Sequence, residues 1–463
     1  MAVICWFRRV LRLDDHPALC AAAAEGEVIP LVILDPEEAR DHPASAQRQA
    51  LSLPRLQAAL HRHHSRLIVR RGAPAGVLEQ IARQTGATQI HATEGFPFAS
   101  DHGLAAAAQR GGARLVLHPL ADLAGRGALT TQQGGIYKVF TPYWRALRAS
   151  QIADPLPVPR LSSPADWPDS EDADGKDPDW PEARAAMRRG WPVVAGHVEP
   201  GEDRALQRLH DFLDGPVADY ATHRDQPWRD AGTSGLSDAL AVGEISPRRI
   251  WQVAGDARRD GRPGVEDFLR ELGWREFARE LFHDAPEMGR TCWREEWQDF
   301  PWRRDNAAAE DWRRAATGVP MVDAGLRELF VTGRMHNRVR MIAASYLTKH
   351  LLTDWRVGLD WFARTLTDWD PASNAMNWQW VAGCGPDAAP YFRVFNPDTQ
   401  AEKFDAAGRY RDHWLKASAA GAQEFARAAP LSWKIDLARP PAPAISLAQG
   451  RARALTAYEE FKP

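Results

Sequence analysis

Cysteine is scarce in this chain: Cys5, Cys20, Cys292 and Cys384 are the only four among 463 residues. They are widely scattered, with no pair at metal-ligand spacing. That argues against a disulfide framework and an iron–sulfur cluster and suits a reducing compartment. No apolar run approaches the roughly 20 residues needed to span a bilayer. The N-terminus passes from Met1-Ala2-Val3-Ile4-Cys5-Trp6 directly to Arg8 and Arg9, without the apolar core of a signal peptide. A soluble cytoplasmic protein, working as a monomer away from membranes, is expected. Neither sign of charge dominates: 58 Lys plus Arg stand against 61 Asp plus Glu, a net charge of −3. A nucleic-acid partner would therefore need the positive charge concentrated on one face. No Gly-x-Gly-x-x-Gly follows the first strand-like run, and neither Gly-x-Ser-x-Gly nor His-Glu-x-x-His occurs. Internal repeats and low-complexity runs are missing, and no set of residues suggests a metal site.

Tryptophan, by contrast, is abundant. Nineteen are present and most lie beyond Trp251, more than core packing demands, so some must serve stacking or electron relay. The length predicts two domains and room to bury a large cofactor. Residues 1–125 alternate β-rich runs (Val3 to Phe7, Val28 to Leu34, Leu67 to Val69, Thr88 to Ala92, Leu115 to Leu117) with helical patterns, which predicts an α/β domain with a doubly wound parallel sheet. Residues 126–195 read as a linker, rich in Pro, Asp and Ser between Leu156 and Pro181. Residues 196–463 carry helical periodicity throughout and predict an all-α domain.

Three stretches of the second domain carry chemistry. Asp368, Asp370, Asn374, Trp378 and Trp380 span about three helical turns, with Asn374 and Trp378 on one face and Trp380 turned away from Trp378. Such a helix can serve a buried redox group on one side and an aromatic ligand platform on the other. Glu271, Trp274 and Arg275 meet on one face; taken locally, Glu271 and Arg275 form a solvated ion pair and Trp274 is core. Thr233-Ser234-Gly235-Leu236-Ser237 offers hydroxyls and backbone amides at a helix start, suited to a phosphate, with Ser237 as a plain N-cap the simpler reading.

Read with Met335-His336-Asn337-Arg338-Val339-Arg340-Met341 and with Pro390-Tyr391-Phe392-Arg393-Val394-Phe395-Asn396-Pro397, these stretches resemble the flavin domain of the DNA photolyase and cryptochrome family. Trp6-Phe7-Arg8-Arg9 with Leu11-Arg12 and Asp15 resembles the start of its N-terminal domain. The likeness is greatest to class I-type cyclobutane pyrimidine dimer photolyases. It implies FAD held by Tyr220, Thr233, Ser234, Gly235, Leu236, Ser237, Arg275, Asn337, Arg340, Asp368, Asp370 and Asn374. Arg340 and Asp368 would meet over the flavin ring, and Asn374 would face flavin N5. Plant cryptochromes place an aspartate there and animal ones a cysteine, so Asn374 favours the repair enzymes. Glu271 would hydrogen-bond the lesion, with Trp274 and Trp380 as pocket walls and Met341 beneath. Trp378, Trp355 and Trp302 would relay electrons from the surface, and Arg224, Arg338, Arg393 and Lys403 would approach the DNA backbone.

The resemblance also has departures. Arg334 replaces the usual aromatic before Met-His-Asn-Arg, and Ala375-Met376-Asn377 replaces Asn-Gly-Gly. Phe98-Ala99-Ser100-Asp101-His102 lacks the Asn-Glu of folate-binding members, so an antenna chromophore, whether folate, deazaflavin or another flavin, stays open. The resulting expectation is blue-light repair of pyrimidine dimers in UV-damaged DNA. The alternatives are a cryptochrome-type photoreceptor and a (6-4) photolyase, whose pocket histidines are replaced by Asn337 and Met341 here. A flavin electron-transfer protein is a third, and it would leave no pocket beside Trp274 and Trp380.

Overall fold

The computed structural model describes residues 1–96, 101–171, 191–387, 391 and 393–461. Five strands, β1 (Ala2–Trp6), β2 (Glu27–Leu34), β3 (Ile68–Arg71), β4 (Gln89–Thr93) and β5 (Arg114–His118), pair in parallel in the order β3-β2-β1-β4-β5. Alternation along the first strand supplies both faces of the sheet. Val3, Cys5 and Phe7 enter one apolar cluster with the helix Pro43–Arg62; Ile4 and Trp6 enter another with the helix Pro74–Thr85. A sheet covered on both faces is the doubly wound arrangement expected, and it explains why β2 reads as a nearly unbroken apolar run.

Beyond Trp191 the named elements are all helical, and only an isolated bridge between Arg303 and Thr353 interrupts that rule among the described residues. They enclose two large apolar clusters. One contains Trp312, Tyr346, Trp355, Phe362 and Trp378; the other contains Phe212, Tyr220, Phe268, Phe277 and Met376. The helix Pro371–Ala382 gives residues to both. The stretch assigned to a linker is not all connector. Within it, the helix Phe140–Ala149 buries Phe140, Tyr143, Trp144 and Leu147 in the second cluster.

The two parts are locked together by polar contacts withdrawn from water. Arg12 Nη1 donates to the Gly243 carbonyl (3.0 Å), and Glu202 accepts from the amides of Leu13 (2.8 Å) and Asp14 (2.9 Å). Arg248 pairs with the fully buried Asp15 at 2.7 Å, and Arg249 pairs with Asp14 at 2.6 Å. No helix among the described residues is long and apolar enough to cross a membrane.

Removing one partner of a buried pair leaves an uncompensated charge. Arg248→Ala is expected to lower the unfolding free energy by about 3 kcal/mol, measured by urea denaturation, whereas Arg62→Ala at the exposed Arg62–Asp203 pair should change it by less than about 1 kcal/mol.

Candidate functional site

The helix Pro371–Ala382 begins with Asp370, whose carboxylate accepts from the Ser373 amide at 2.8 Å, and with Pro371 in the first helical position. Burial alone would raise the Asp370 carboxyl, but Arg279 and then Arg275 outweigh it and hold the group below its ordinary value. Arg279 Nη1 lies 3.4 Å from Asp370. The start of the helix is thus fixed by an ionised cap, and its register determines where Asn374, Trp378 and Trp380 emerge.

They emerge around a cavity of about 140 Å³ lined by Asn337, Arg340, Met341, Asp368, Asp370, Asn374, Trp378 and Trp380 among others. Arg340 Nη2 donates to Asp368 at 2.7 Å, and its Nε donates to the Met335 carbonyl at 2.7 Å. The second oxygen of Asp368 is buried without a partner among the described residues, although burial of an unsatisfied acceptor is costly. Asn374 Nδ2 donates to the Leu359 carbonyl at 3.1 Å, so its amide oxygen is the polar group left for the cavity. Trp380 and Met341 are half-buried at the cavity wall, and Arg393 lies 5.9 Å from the Trp380 ring.

Trp378 is only 2% exposed and Trp355 is fully buried. The six-membered ring of the Trp378 indole packs against Gly358, where a Cβ would come within 2.0 Å of it. Gly358 is one turn beyond Trp355 on the same helix, Trp355–Thr365. Trp302 is half-buried, and the next residue, Arg303, donates its amide to the Leu352 carbonyl at 2.7 Å and accepts from Asp354 at 2.9 Å. Trp378 thus lines the cavity, Trp355 is wholly buried and Trp302 is partly exposed. Sequence reasoning missed Trp312, which meets Trp378 edge-on at 6.1 Å; its place in an apolar helical pattern carried no separate signal.

Other expected residues lie apart from the cavity. Tyr220 is buried against Phe212 and Phe268. In segment 233–237 Gly235 adopts φ +62°, and its carbonyl accepts from Arg208 Nη1 at 2.7 Å. Ser237 is not the N-cap: Leu236 occupies that position without a side-chain cap bond and the helix starts at Ser237. The hydroxyls of Thr233, Ser234 and Ser237 have no hydrogen-bond partner among the described residues. Asp238, completely buried just after them, is met by Arg48, Arg208 and Arg334. Burial opposes its ionisation, but Arg334, Arg48 and Arg208 hold it down at about 2.

The local ion pair between Glu271 and Arg275 is not formed. Glu271 is held by Arg224, whereas Arg275 Nη1 binds Glu276 at 2.6 Å. Burial, reinforced by Asp122, pushes Glu276 up to about 7. Glu276, Arg279 and Asp122 were missed as a group, although charged residues at apolar-periodic positions of the helix Val265–Asp284 were a visible sign. Trp274 is half-buried with one face stacked on Phe140, the ring centroids 3.6 Å apart and the planes 10° from parallel. It does not line the cavity beside Trp380. Arg338 pairs with Asp225 at 2.7 Å, while Arg393 and Lys403 are exposed and have no acidic partner among the described residues. Phe98, Ala99 and Ser100 of the antenna segment and Pro390 and Phe392 of the downstream motif lie outside the described residues.

The unused groups decide whether FAD suits these residues. An unpartnered buried carboxylate oxygen beside Arg340, an amide oxygen facing the cavity, and three free hydroxyls in one segment match the polar ring, N5 edge and diphosphate of a flavin dinucleotide. They fit.

Gly358→Ala drives a methyl into the Trp378 ring, and overpacking of this kind costs about 1–3 kcal/mol. The expected outcome is a matching loss in chemical denaturation together with reduced flavin content. A pH effect is expected at Glu328, which accepts from the Tyr410 hydroxyl. Burial pushes it up to about 7 against the opposing effects of Tyr410, the His336 amide and Arg340. Its folded-state value lies above the unfolded one, so its stabilisation is present below about pH 4.5 and lost as pH rises through about 7. Glu328→Gln should flatten the stability profile across that window, as read from unfolding midpoints at several pH values.

The chain was compared with known proteins. Family profiles described as "DNA photolyase" and "FAD binding domain of DNA photolyase" match residues 3–160 and 268–460. A deoxyribodipyrimidine photo-lyase from Agrobacterium fabrum is 41% identical over 422 residues, covering 88% of this chain and 85% of its own length. The crystal structure of a class III photolyase from Agrobacterium tumefaciens, 38% identical, superposes with a TM-score of 0.86 over 100% of this chain and 98% of its own. That class differs from the class I-type likeness read from the motifs. A cryptochrome from Synechocystis sp. PCC6803, 26% identical, gives a TM-score of 0.83 over 98% of this chain and 99% of its own. With both family profiles matched and a 41% identical relative covered along most of its length, the chain belongs to the DNA photolyase family and carries that family's FAD-binding domain.

Proposed function

We propose that this protein repairs cyclobutane pyrimidine dimers in DNA under light. The observation that carries the reading is the single cavity in which the Arg340–Asp368 pair, the oriented amide of Asn374, the buried Trp378 and the half-buried Trp380 and Met341 converge. FAD, when bound, supplies the light-driven electron that splits the cyclobutane ring and takes it back afterwards. The protein's task is positioning. Arg340 and Asp368 anchor the ring, Asp370 fixes the helix, and Asn374 presents an acceptor that carries no ready proton. Tyr220, Arg275, Asn337 and segment 233–237 hold the rest of the dinucleotide. Trp380 and Met341 offer an apolar surface for a flipped-out base, with Trp274 and Glu271 as the opposing wall once the lesion enters. An already distorted dimer costs less to extrude than an intact pair, which supplies selectivity. Trp378, Trp355 and Trp302 carry electrons inward from the surface to restore the reduced state.

Arg393 and Lys403, free of acidic partners, are the cations available to DNA phosphates at the cavity mouth, with Arg224 and Arg338 released from Glu271 and Asp225 as DNA approaches. Such contacts position without reading sequence. The four cysteines are unpaired, which supports a cytoplasmic location, and the protein is read as a monomer.

Purified, photoreduced protein is expected to remove a thymine dimer from an oligonucleotide under blue light and to leave both a (6-4) product and a dark control untouched. Light-dependent flavin reduction without repair of either lesion would replace this reading with that of a photoreceptor. Arg393→Ala and Lys403→Ala should each reduce the slope of log affinity against log salt by about 0.9, the value for one phosphate contact, as measured by titrating dimer-containing DNA.

A further inference from the structure

Arg334, which replaces an aromatic residue in the flavin-domain motif, is half-buried and turns its guanidinium inward. Its Nη2 donates to Asp238, a fully buried carboxylate directly after the segment Thr233 to Ser237. Two further arginines reach the same carboxylate from different parts of the molecule. Arg48, fully buried on the helix Pro43–Arg62 of the α/β domain, donates from Nε at 3.1 Å and grips Glu244 through Nη2 at 2.5 Å. Arg208, on the helix Glu202–Asp214, approaches Asp238 at 3.5 Å and also donates to the Gly235 carbonyl at 2.7 Å, inside the segment itself. The segment is thus gripped at its middle by Arg208 and at its end by Asp238.

The network extends to the flavin cavity. Gly333, at φ +72°, turns the chain into Arg334, and its carbonyl accepts from the Thr367 amide at 2.8 Å and from its hydroxyl at 3.1 Å. A Cβ at Gly333 would come within 2.5 Å of Thr367, so only glycine permits this approach. Thr367 immediately precedes Asp368, the partner of Arg340. A continuous set of polar contacts therefore joins the α/β domain, the end of segment 233–237 and the carboxylate at the cavity. Charges this deeply buried persist only when each is compensated in fixed geometry, which makes the cluster rigid and intolerant of a missing member.

From this we infer that Asp238, clamped by Arg48, Arg208 and Arg334, is a buried brace that positions segment 233–237 for the FAD diphosphate, so that cofactor retention depends on the α/β domain through Arg48. The inference rests on the reading of segment 233–237 as the diphosphate cradle. None of the four charged residues is assigned contact with the cofactor; each acts through the segment. Arg334 and Asp238 are thus a compensated pair, and the departure at Arg334 is intelligible as the cation that Asp238 requires.

The test uses the full chain loaded with FAD, reading both the dissociation constant of FAD and the ³¹P resonances of its bound diphosphate. Arg334→Gln, at the partly exposed edge of the cluster, is expected to weaken FAD binding about tenfold and to move the ³¹P resonances, while the visible absorption fine structure of the flavin ring stays unchanged. Arg334→Lys keeps a cation at a single-nitrogen contact and should restore both readouts. Arg48→Gln should act in the same direction from the other domain. If that variant does not accumulate folded, Arg48→Lys takes its place: it keeps the charge but cannot span Asp238 and Glu244 together, so the same weakening is expected. Unchanged affinity and resonances in the Arg334 and Arg48 variants, with Ser234→Ala/Ser237→Ala still weakening FAD binding, would overturn the brace alone. If the serine variant also leaves both readouts unchanged, the cradle reading falls and the brace with it.

Discussion

The helix Pro371–Ala382 is wedged between two apolar cores, and that constraint governs the rest of the site. Ala372, Ala375 and Met376 pack into one core; Trp378, Val381 and Ala382 pack into the other. A helix shared in this way cannot rotate or slide without opening a void on one side and a clash on the other, because interiors are packed to crystal-like density. Its ionised cap at Asp370, clamped from outside by Arg279, fixes the remaining freedom along its axis. With the helix immobile, the amide of Asn374 and the two indoles take positions that no loop could hold as accurately.

Around this apolar frame the protein places an unusual number of charges out of water. Arg48, Asp238, Glu244, Asp15 and Arg12 are all almost wholly inaccessible. Burial of an ion pair is weak evidence for stability, since desolvation cancels much of the attraction. What such pairs provide is geometric selectivity: a misdocked α/β domain would strand several charges at once. The same economy appears at the cavity, where Asp368 keeps one oxygen engaged by Arg340 and one without a protein partner.

Much of this was legible in the sequence. The five strand-like runs fell within a residue or two of the observed strands, because a parallel sheet covered on both faces needs unbroken apolar runs and these are easy to see. Helical spacing puts Asn374 and Trp378 on one face with Trp380 turned away, whereas the Arg340–Asp368 pair was reached through the family resemblance and is found as expected. Less was visible where partners are distant in sequence. Glu271 and Arg275 look like a natural i, i+4 pair, yet each is taken by a residue that spacing alone could not favour, Arg224 and Glu276. Trp274 likewise gives one face to Phe140, which lies in a stretch that reads as linker. The cluster about Asp238 was invisible for the same reason: its members come from positions 48, 208, 238 and 334, and local patterns cannot bring them together.

The helix Trp355–Thr365 performs two tasks with neighbouring residues. Gly358 is the seat of the Trp378 indole, and the carbonyl of Leu359 orients the amide of Asn374. Adjacent residues on a helix diverge by about 100°, so this one element touches the same partner helix at two points, one beside the amide that lines the cavity and the other beside the buried indole. The amide and the indole therefore share one mechanical reference. A carboxylate at position 374 would set negative charge against the Leu359 carbonyl that now accepts a hydrogen bond from the amide. It would have to bind a proton or turn away, and either response would carry over to the neighbouring tryptophan.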